Sequence, residues 1–169
     1  MSELTKPEDF PTVYIETTIV SYLMARPSRD LVVAAQQEVT RMWWERALPR
    51  FRPYVSPVVL EEAAAGDPEA ARRRLSAISA FPVLSVEPGV ESLATRYFKA
   101  IPLPGRARAD ALHLALATWH GIDFLVSWNC VHIANGRVRR ILADVNRELG
   151  IRMPEICNPY EVLEDGDDS

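Results

Sequence analysis

Four oxygen-bearing side chains that are distant along the chain could together bind a divalent cation: Glu16, Glu62, Asp110 and Asn129. Three carboxylates and one amide oxygen converging on one place would repel one another, and their pKa values would rise unless a cation intervened. Ligands that are all oxygen suit Mg²⁺ or Mn²⁺. Such an ion lowers the pKa of bound water for in-line attack on a phosphodiester and neutralises charge on the leaving oxygen. The pattern indicates metal-dependent hydrolysis.

Two of these side chains follow short apolar segments that are typical of buried strands. Glu16 comes directly after Val13-Tyr-Ile15, and Asn129 comes shortly after Phe124-Leu-Val126. The carboxyl ends of parallel strands meet at one edge of a sheet, where ligands bind. We therefore expect both side chains at that edge. Asp123 opens its strand at the opposite edge, and we exclude it.

The other two lie near the starts of predicted helices. Ser56-Pro57 is typical of a helix cap followed by a first-turn proline, which places Glu62 about one and a half turns into the helix. The neighbouring Glu61 competes for the same role but points about 100° away. Asp110 lies in the first turn of an apolar helix, where the helix dipole favours an anion. Taken alone, an acidic residue at such a position is more often a helix cap or a solvated side chain. A functional role is favoured because all of these residues are expected at the same edge of the sheet.

The elements that position these residues alternate between strand and helix. Short runs rich in β-branched or aromatic residues predict strands at 13–15, 54–56, 83–86, 124–126 and 155–157. Helical periodicity predicts helices at 31–48, from Asp67-Pro68 onward, at 90–97, 107–119 and 138–149, the last ended by Gly150. In the first helix, Val32, Ala35, Val39, Met42 and Trp43 share the face expected to be buried. The strands are too apolar to face water, which indicates an α/β protein with a central parallel sheet covered by helices on both sides.

Length and composition fit one globular domain with a sizeable core. The chain has 169 residues, of which 48% are hydrophobic and 25% charged. We expect a flexible N-terminal segment over 1–12, the domain over 13–163 and an acidic disordered tail over 164–169. No apolar stretch approaches the about 18 to 20 residues that span a bilayer, and the start lacks the pattern of a secretion signal. We accordingly expect a cytoplasmic protein with reduced thiols at both cysteines.

The overall charge argues against a general electrostatic attraction for nucleic acid. The formal net charge is −4, so any polyanion must be held by local contacts. Two arginine groups could bind a phosphate backbone, although solvated helix faces explain them equally well: Arg72, Arg73 and Arg74, and Arg137, Arg139 and Arg140. Trp43 is expected in the core, whereas an exposed Trp44 would mark a surface for a partner.

The residue pattern excludes several other doubly wound proteins. A receiver domain needs adjacent acids after its first strand and a lysine after its last, and the chain has neither. A haloacid-dehalogenase-like phosphotransferase needs an aspartate nucleophile with a second acid two residues later, where this chain has Glu16-Thr-Thr18. No glycine-rich loop of the kind that cradles a nucleotide phosphate occurs.

Four segments, in order and spacing, resemble the four motifs of the PIN-domain family: Tyr14-Ile-Glu-Thr-Thr-Ile19, Ser56-Pro-Val-Val-Leu-Glu-Glu62, Asp110-Ala-Leu-His-Leu-Ala-Leu-Ala117 and Leu125-Val-Ser-Trp-Asn-Cys-Val-His-Ile133. The resemblance covers residues 12 to 160. It implies a three-layer α/β/α sandwich, an acidic site for Mg²⁺ or Mn²⁺, and endoribonuclease activity, most often as the VapC toxin of a bacterial toxin-antitoxin pair. Position by position it assigns the site to Glu16, Glu62, Asp110 and Asn129. It also implies an antitoxin partner and a homodimer, for which we consider the helix over 31–48.

Two positions depart from the commonest family pattern. Glu16 is one methylene longer than the usual aspartate, and Asn129 carries no charge where aspartate is frequent. An uncharged fourth ligand binds a second ion more weakly, so we favour one metal, or a site completed by an RNA phosphate. The alternative is a PIN-like fold that has lost catalysis and serves as a protein-binding or RNA-binding module. Stabilisation by a divalent metal distinguishes the two.

Several neighbouring residues have weaker signals. His113 lies one turn beyond Asp110 and could orient a carboxylate, but a buried core histidine is the favoured interpretation. His132, in Cys130-Val-His132, does not by itself predict a zinc site. Thr17 and Ser127 flank predicted ligands and are expected to hydrogen-bond to them.

Overall fold

The structure is a computed structural model that describes residues 6–102 and 107–163. The predicted acidic tail over 164–169 lies outside the described residues, as does the first part of the predicted flexible segment over 1–12. Within the described part of that segment, Pro7–Asp9 forms a short 3₁₀ helix and the first strand begins at Thr12. The domain boundaries stay predictions.

Four short parallel strands form the central sheet, in the order β2-β1-β3-β4. They are β1 (Thr12–Ile15), β2 (Arg52–Tyr54), β3 (Phe124–Val126) and β4 (Glu155–Cys157). Tyr14 pairs with Tyr54 on one side and with Leu125 on the other. Val13, Tyr14 and Ile15 are fully buried because helices cover both faces of the sheet. The predicted α/β fold with a parallel sheet is confirmed.

Seven α-helices occur over the described residues: α1 (Thr17–Met24), α2 (Leu31–Met42), α3 (Pro57–Ala64), α4 (Pro68–Ile78), α5 (Pro88–Ala100), α6 (Ala107–Trp119) and α7 (Gly136–Leu149). Side-chain caps start several of them. The Asp67 carboxylate accepts the Ala70 amide ahead of α4, as the sequence predicted. Gly150, with a φ of 66°, ends α7 in the left-handed conformation that glycine adopts most readily. None of the described helices meets the length and hydropathy that crossing a membrane requires.

The prediction of one regular helix over 31–48 is wrong. After α2, the chain continues as a π-helical segment, Trp43–Ala47, and then a 3₁₀ turn, Leu48–Arg50, before the extended chain of β2. Trp43 is buried as predicted, but Val32 is 68% exposed and does not share its face with the core. Trp44 is only partly buried and packs against Phe81. Trp43, Ala47 and Leu48 of this segment are all buried in the core.

Two strand predictions also need correction. The second strand ends at Tyr54 instead of running over 54–56, because Ser56 already serves as the cap of α3. The segment 83–86 forms no strand, only a single bridge from Val83 to Val55. Val83 is 50% exposed, so the segment lies outside the fully covered part of the sheet and has no strand on its far side among the described residues.

Backbone hydrogen bonds extend the sheet to the edge where the predicted site lies. The Glu16 amide donates to the Val126 carbonyl at 3.2 Å, and the Ser127 amide donates to the Cys157 carbonyl at 3.0 Å. The residues directly after β1 and β3 are thus held at the carboxyl ends of neighbouring strands. This is the edge at which α/β sheets bind ligands.

Candidate active site

Glu16 presents one carboxylate oxygen to the protein and leaves the other without a donor. Its side chain caps α1 and is 3% exposed. Oε2 accepts hydrogen bonds from the Thr18 amide (3.1 Å), the Thr18 hydroxyl (2.5 Å) and the Ser127 hydroxyl (2.7 Å). Oε1 accepts no hydrogen bond from the described residues and lies 4.0 Å from Nε2 of His113. The direction of the carboxylate is fixed, and Oε1 is available for a ligand.

Glu62 meets Glu16 from the opposite side of the site. It lies on α3, which the Ser56 hydroxyl caps by accepting the Val59 amide. Glu62 Oε1 accepts hydrogen bonds from the Thr17 hydroxyl (2.8 Å) and from Nε2 of His113 (2.5 Å), while Oε2 has no donor among the described residues. The Glu62 side chain is 39% exposed. Burial favours a higher pKa for Glu62, but the His113 hydrogen bond and charge outweigh it and lower the pKa.

His113 is fully buried on α6 and links Glu62 to the sheet. Its Nδ1 lies 2.6 Å from the Tyr14 hydroxyl, which lies 2.7 Å from the Ser56 hydroxyl. Burial opposes protonation of His113, but the hydrogen bond to Glu62 and the nearby carboxylate charges together raise its pKa. Because the carboxylate can only accept, Nε2 carries the proton in both protonation states of the ring. His113 thus holds Glu62 in place, a role the sequence offered as the less favoured interpretation.

Glu16, Glu62 and His113 bring ligand atoms to within 4.8 Å of one another, a spacing at which side chains can share a metal ion. The proton on Nε2 leaves that nitrogen no lone pair for an ion. The donors left for a cation are carboxylate oxygens, and a set of oxygens favours Mg²⁺ or Mn²⁺ over softer metals. The side chains present fit a hard divalent cation.

Asp110 and Asn129 form a second group with His132. The Asn129 amide nitrogen donates to Asp110 Oδ1 at 3.1 Å, and Nδ1 of His132 lies 2.9 Å from Asp110 Oδ2. The Asn129 amide oxygen accepts the His132 backbone amide at 3.0 Å. Both ends of the Asn129 amide are therefore engaged within the protein. A ligand role for Asn129 stays a prediction.

The two groups are electrostatic neighbours. Burial raises the pKa of Asp110, and the negative charge of Glu62 adds to this effect, although His132 partly opposes it. Among the residues that the structure describes, no arginine or lysine forms an ion pair with Glu16, Glu62 or Asp110. The basic partners of these carboxylates among the described residues are His113 and His132, and no arginine occupies the place of a cation.

The structure also shows the contacts of several residues whose roles the sequence left open. Thr17 and Ser127 hydrogen-bond to the predicted ligands, as expected. Asp123 lies at the opposite edge, as the sequence predicted, where it accepts hydrogen bonds from Thr12 and pairs with Arg152. Sequence reasoning missed His132 as the partner of Asp110. The only available signal was its position three residues after Asn129 in the fourth motif.

The arginine groups have mainly structural partners. Arg72 pairs with Glu69 on the same helix, and Arg74 donates to the carbonyls of Ala63 and Ala65 at the end of α3. Arg139 donates to the Ile156 carbonyl and pairs with a glutamate of the final 3₁₀ turn, Pro159–Val162. These contacts give Arg72, Arg74 and Arg139 structural partners that require no nucleic acid.

Comparison with known proteins gives a structural likeness without a sequence match. No protein-family model and no curated protein sequence matches the chain. The chain is similar in structure to VapC20 of Mycobacterium tuberculosis, described as a sarcin-ricin loop cleaving toxin, with a TM-score of 0.54 and 16% identity over 68% of this chain and 87% of that one. It is also similar to VapBC-1 of nontypeable Haemophilus influenzae (TM-score 0.54, 12% identity, 88% and 98% covered). FitAcB of Neisseria gonorrhoeae gives the same TM-score and identity over 88% and 99% of the two chains.

These identities of 12% to 16% are too low to carry over an activity, but the agreement extends over most of each chain. The likeness is one of fold, and it agrees with the α/β fold that the four sequence motifs predicted. The chain has the fold of the PIN-domain family.

Proposed function

We propose that this protein is an endoribonuclease, similar to VapC toxins, that uses Mg²⁺ or Mn²⁺ to hydrolyse RNA phosphodiester bonds. The observation that carries the proposal is the pair of carboxylates Glu16 and Glu62. Each has one oxygen fixed by protein donors and one oxygen without a donor among the described residues. Two like charges held this close, with only His113 as a basic partner among the described residues, are costly unless a cation binds.

Glu16, Glu62 and Asp110 are the residues that would hold the cation, with Asn129 as the predicted fourth member of the site. When bound, the metal would supply a water of lowered pKa and would neutralise charge on the phosphate. The protein's own contribution is orientation. Ser127 and Thr18 fix Glu16, while Thr17 fixes Glu62.

The histidines supply the remaining fixed contacts. His113 holds Glu62 through Nε2, and its own position is set by the Tyr14 hydroxyl. His132 and Asn129 occupy one oxygen of Asp110 each, so the Asp110 carboxylate cannot rotate freely. Preorganised ligands of this kind reduce the reorganisation that a reaction would otherwise require.

The proposal includes an antitoxin that silences the enzyme and a homodimer. The structural likeness to VapBC-1 and FitAcB supports an antitoxin. Leu31 and Val32, at the start of α2, are 86% and 68% exposed, and their apolar side chains support a protein contact on this helix. A cytoplasmic location remains part of the proposal.

The test is RNA cleavage by the purified protein with Mg²⁺, with Mn²⁺ and with a chelator. We expect metal-dependent cleavage by the wild type and none by Asp110→Asn, whose fold is checked by circular dichroism. Glu61→Gln is the matched control, because Glu61 is exposed and lies outside the site. Cleavage by Asp110→Asn at the wild-type rate would refute the site. RNA binding without cleavage by the wild type would favour the alternative of a catalytically impaired binding module.

A further inference from the structure

A cavity of about 300 Å³ opens beside the candidate site. Its apolar wall includes Ile101, Val138 and Ile141, from the end of α5 and from α7. Val131, which is 69% exposed, forms part of its rim. The volume lies at the lower end of the range of roughly 300 to 1,000 Å³ for small-ligand pockets. The cavity is therefore large enough for one small ligand with an apolar face.

His132 joins this cavity to the acidic edge. The same imidazole that contacts Asp110 through Nδ1 also lines the cavity. Its Nε2 has no hydrogen-bond partner among the described residues. If a substrate binds at Asp110, the group adjacent to the bound one would thus lie near the cavity.

Arg137 supplies positive charge at the cavity. It is exposed, lines the cavity and forms no ion pair within the described part of the chain. In contrast, Arg139 on the same helix is engaged by the Ile156 carbonyl and Glu161. The Asn135 side chain accepts the Arg137 and Val138 backbone amides, so these two amides are not available to a ligand. In a chain of net charge −4, a local cation of this kind is what an RNA phosphate requires.

We propose that this cavity binds one nucleotide of the RNA substrate, next to the bond that is cut. The base lies against the apolar wall, and Arg137 contacts a backbone phosphate. Apolar walls hold a splayed base by contact with its face, and an arginine neutralises phosphate charge. Charge complementarity and continuity with the acidic edge through His132 favour RNA over a protein segment. This inference rests on the proposed function, because it assigns the cavity to the same substrate.

Binding is tested without catalysis by adding each of the four ribonucleoside 5′-monophosphates and following the methyl resonances of Ile101, Val138 and Ile141 by NMR. We expect these methyl groups to shift with at least one nucleotide at millimolar concentration. Ribose 5-phosphate should produce smaller shifts, because it lacks the base. Equal shifts with ribose 5-phosphate would overturn the assignment of the apolar wall to the base.

The substrate role is tested by the kinetics of Arg137→Gln. We expect KM for a short single-stranded RNA to rise by about tenfold with kcat unchanged, since a phosphate contact contributes equally to ground-state and transition-state binding. A plot of log affinity against log salt concentration has a negative slope, and this slope should become shallower by about 0.7, the value for one contact to single-stranded nucleic acid. Arg147→Gln is the matched control at the far end of the same helix, where Arg147 pairs with Asp144.

The outcomes separate this inference from the proposed function. Methyl shifts with nucleotides in a protein that does not cleave RNA would support the nucleotide site while refuting the nuclease. Cleavage with an unchanged KM in Arg137→Gln would overturn the substrate site, with or without methyl shifts, while leaving the nuclease intact. Unshifted methyl groups together with an unchanged KM would overturn the nucleotide site altogether.

Discussion

Glu16→Gln should weaken divalent-metal binding strongly, by about 100-fold, while leaving the fold intact. The three donors that contact Oε2 of Glu16 can all be satisfied by the oxygen of glutamine. The amide nitrogen then replaces Oε1, where it presents hydrogens instead of a lone pair to a cation. Removing one negative charge beside Glu62 offsets the weaker hydrogen bonds to a neutral acceptor, so we expect metal-free stability close to wild type.

The size of the effect follows from linkage between binding and folding. At a Mn²⁺ concentration about 100 times Kd, a ligand that binds only the folded state adds about 2.7 kcal/mol. For a domain of this size, each kcal/mol corresponds to about 2 to 4 °C, so Tm of the wild type should rise by roughly 5 to 11 °C. If Glu16→Gln weakens binding about 100-fold, only about 0.4 kcal/mol remains at the same Mn²⁺ concentration, or about 1 to 2 °C.

The assay is thermal unfolding followed by circular dichroism, with and without Mn²⁺, for the wild type, Glu16→Gln and Glu61→Gln. Glu61→Gln removes an equal charge from a residue adjacent to Glu62 and should keep the full wild-type shift. A full shift in Glu16→Gln would show that the metal binds elsewhere. An equal loss of shift in Glu61→Gln would show that overall charge, and not the fixed oxygen, governs binding.

Three further predictions concern the framework of the site. His113→Phe replaces the imidazole with a somewhat larger flat ring and removes the hydrogen bonds to the Tyr14 hydroxyl and to the neighbouring glutamate. The free energy of unfolding should fall by about 2 to 3 kcal/mol. Urea denaturation measures this, and a loss below about 0.5 kcal/mol contradicts it. Burial raises the pKa of Cys157 to about 12, so only about one part in ten thousand is thiolate at about pH 8. A thiol reagent should label the exposed Cys130 first in the native protein, and equally fast labelling of both thiols would refute this ordering. Gly150→Ala should lower stability by about 1 kcal/mol in urea denaturation, because the left-handed backbone disfavours alanine although a Cβ has space there; an unchanged midpoint would contradict the assigned cap.

The sequence predicted those parts of the site that depend on position within one element. Glu16 and Ser127 follow short buried strands, so the parallel sheet alone determines the edge at which they lie. The position of Glu62 depends on where its helix starts, and Ser56 and Pro57 mark that start clearly in the sequence. Local rules of capping and strand direction were sufficient for these residues.

The contacts that depend on the path of a turn could not be predicted. His132 reaches Asp110 across 22 positions of sequence, through the chain between β3 and α7, whose path no periodicity determines. His113 was ambiguous for a different reason, because burial on an apolar helix fits a core residue as well as a partner of a carboxylate. The π-helical segment after Met42 was missed because its apolar spacing also fits an ordinary α-helix.

The most direct test is a crystal structure of the protein with Mn²⁺, read for anomalous scattering at the carboxyl edge of the sheet. We predict an anomalous peak at about 2.0 to 2.2 Å from Oε1 of Glu16, with Glu62 as a second ligand and the Thr17, Thr18 and Ser127 hydrogen bonds retained. A crystal saturated with Mn²⁺ that shows no peak between Glu16 and Glu62, or a peak bound only by other residues, would contradict it.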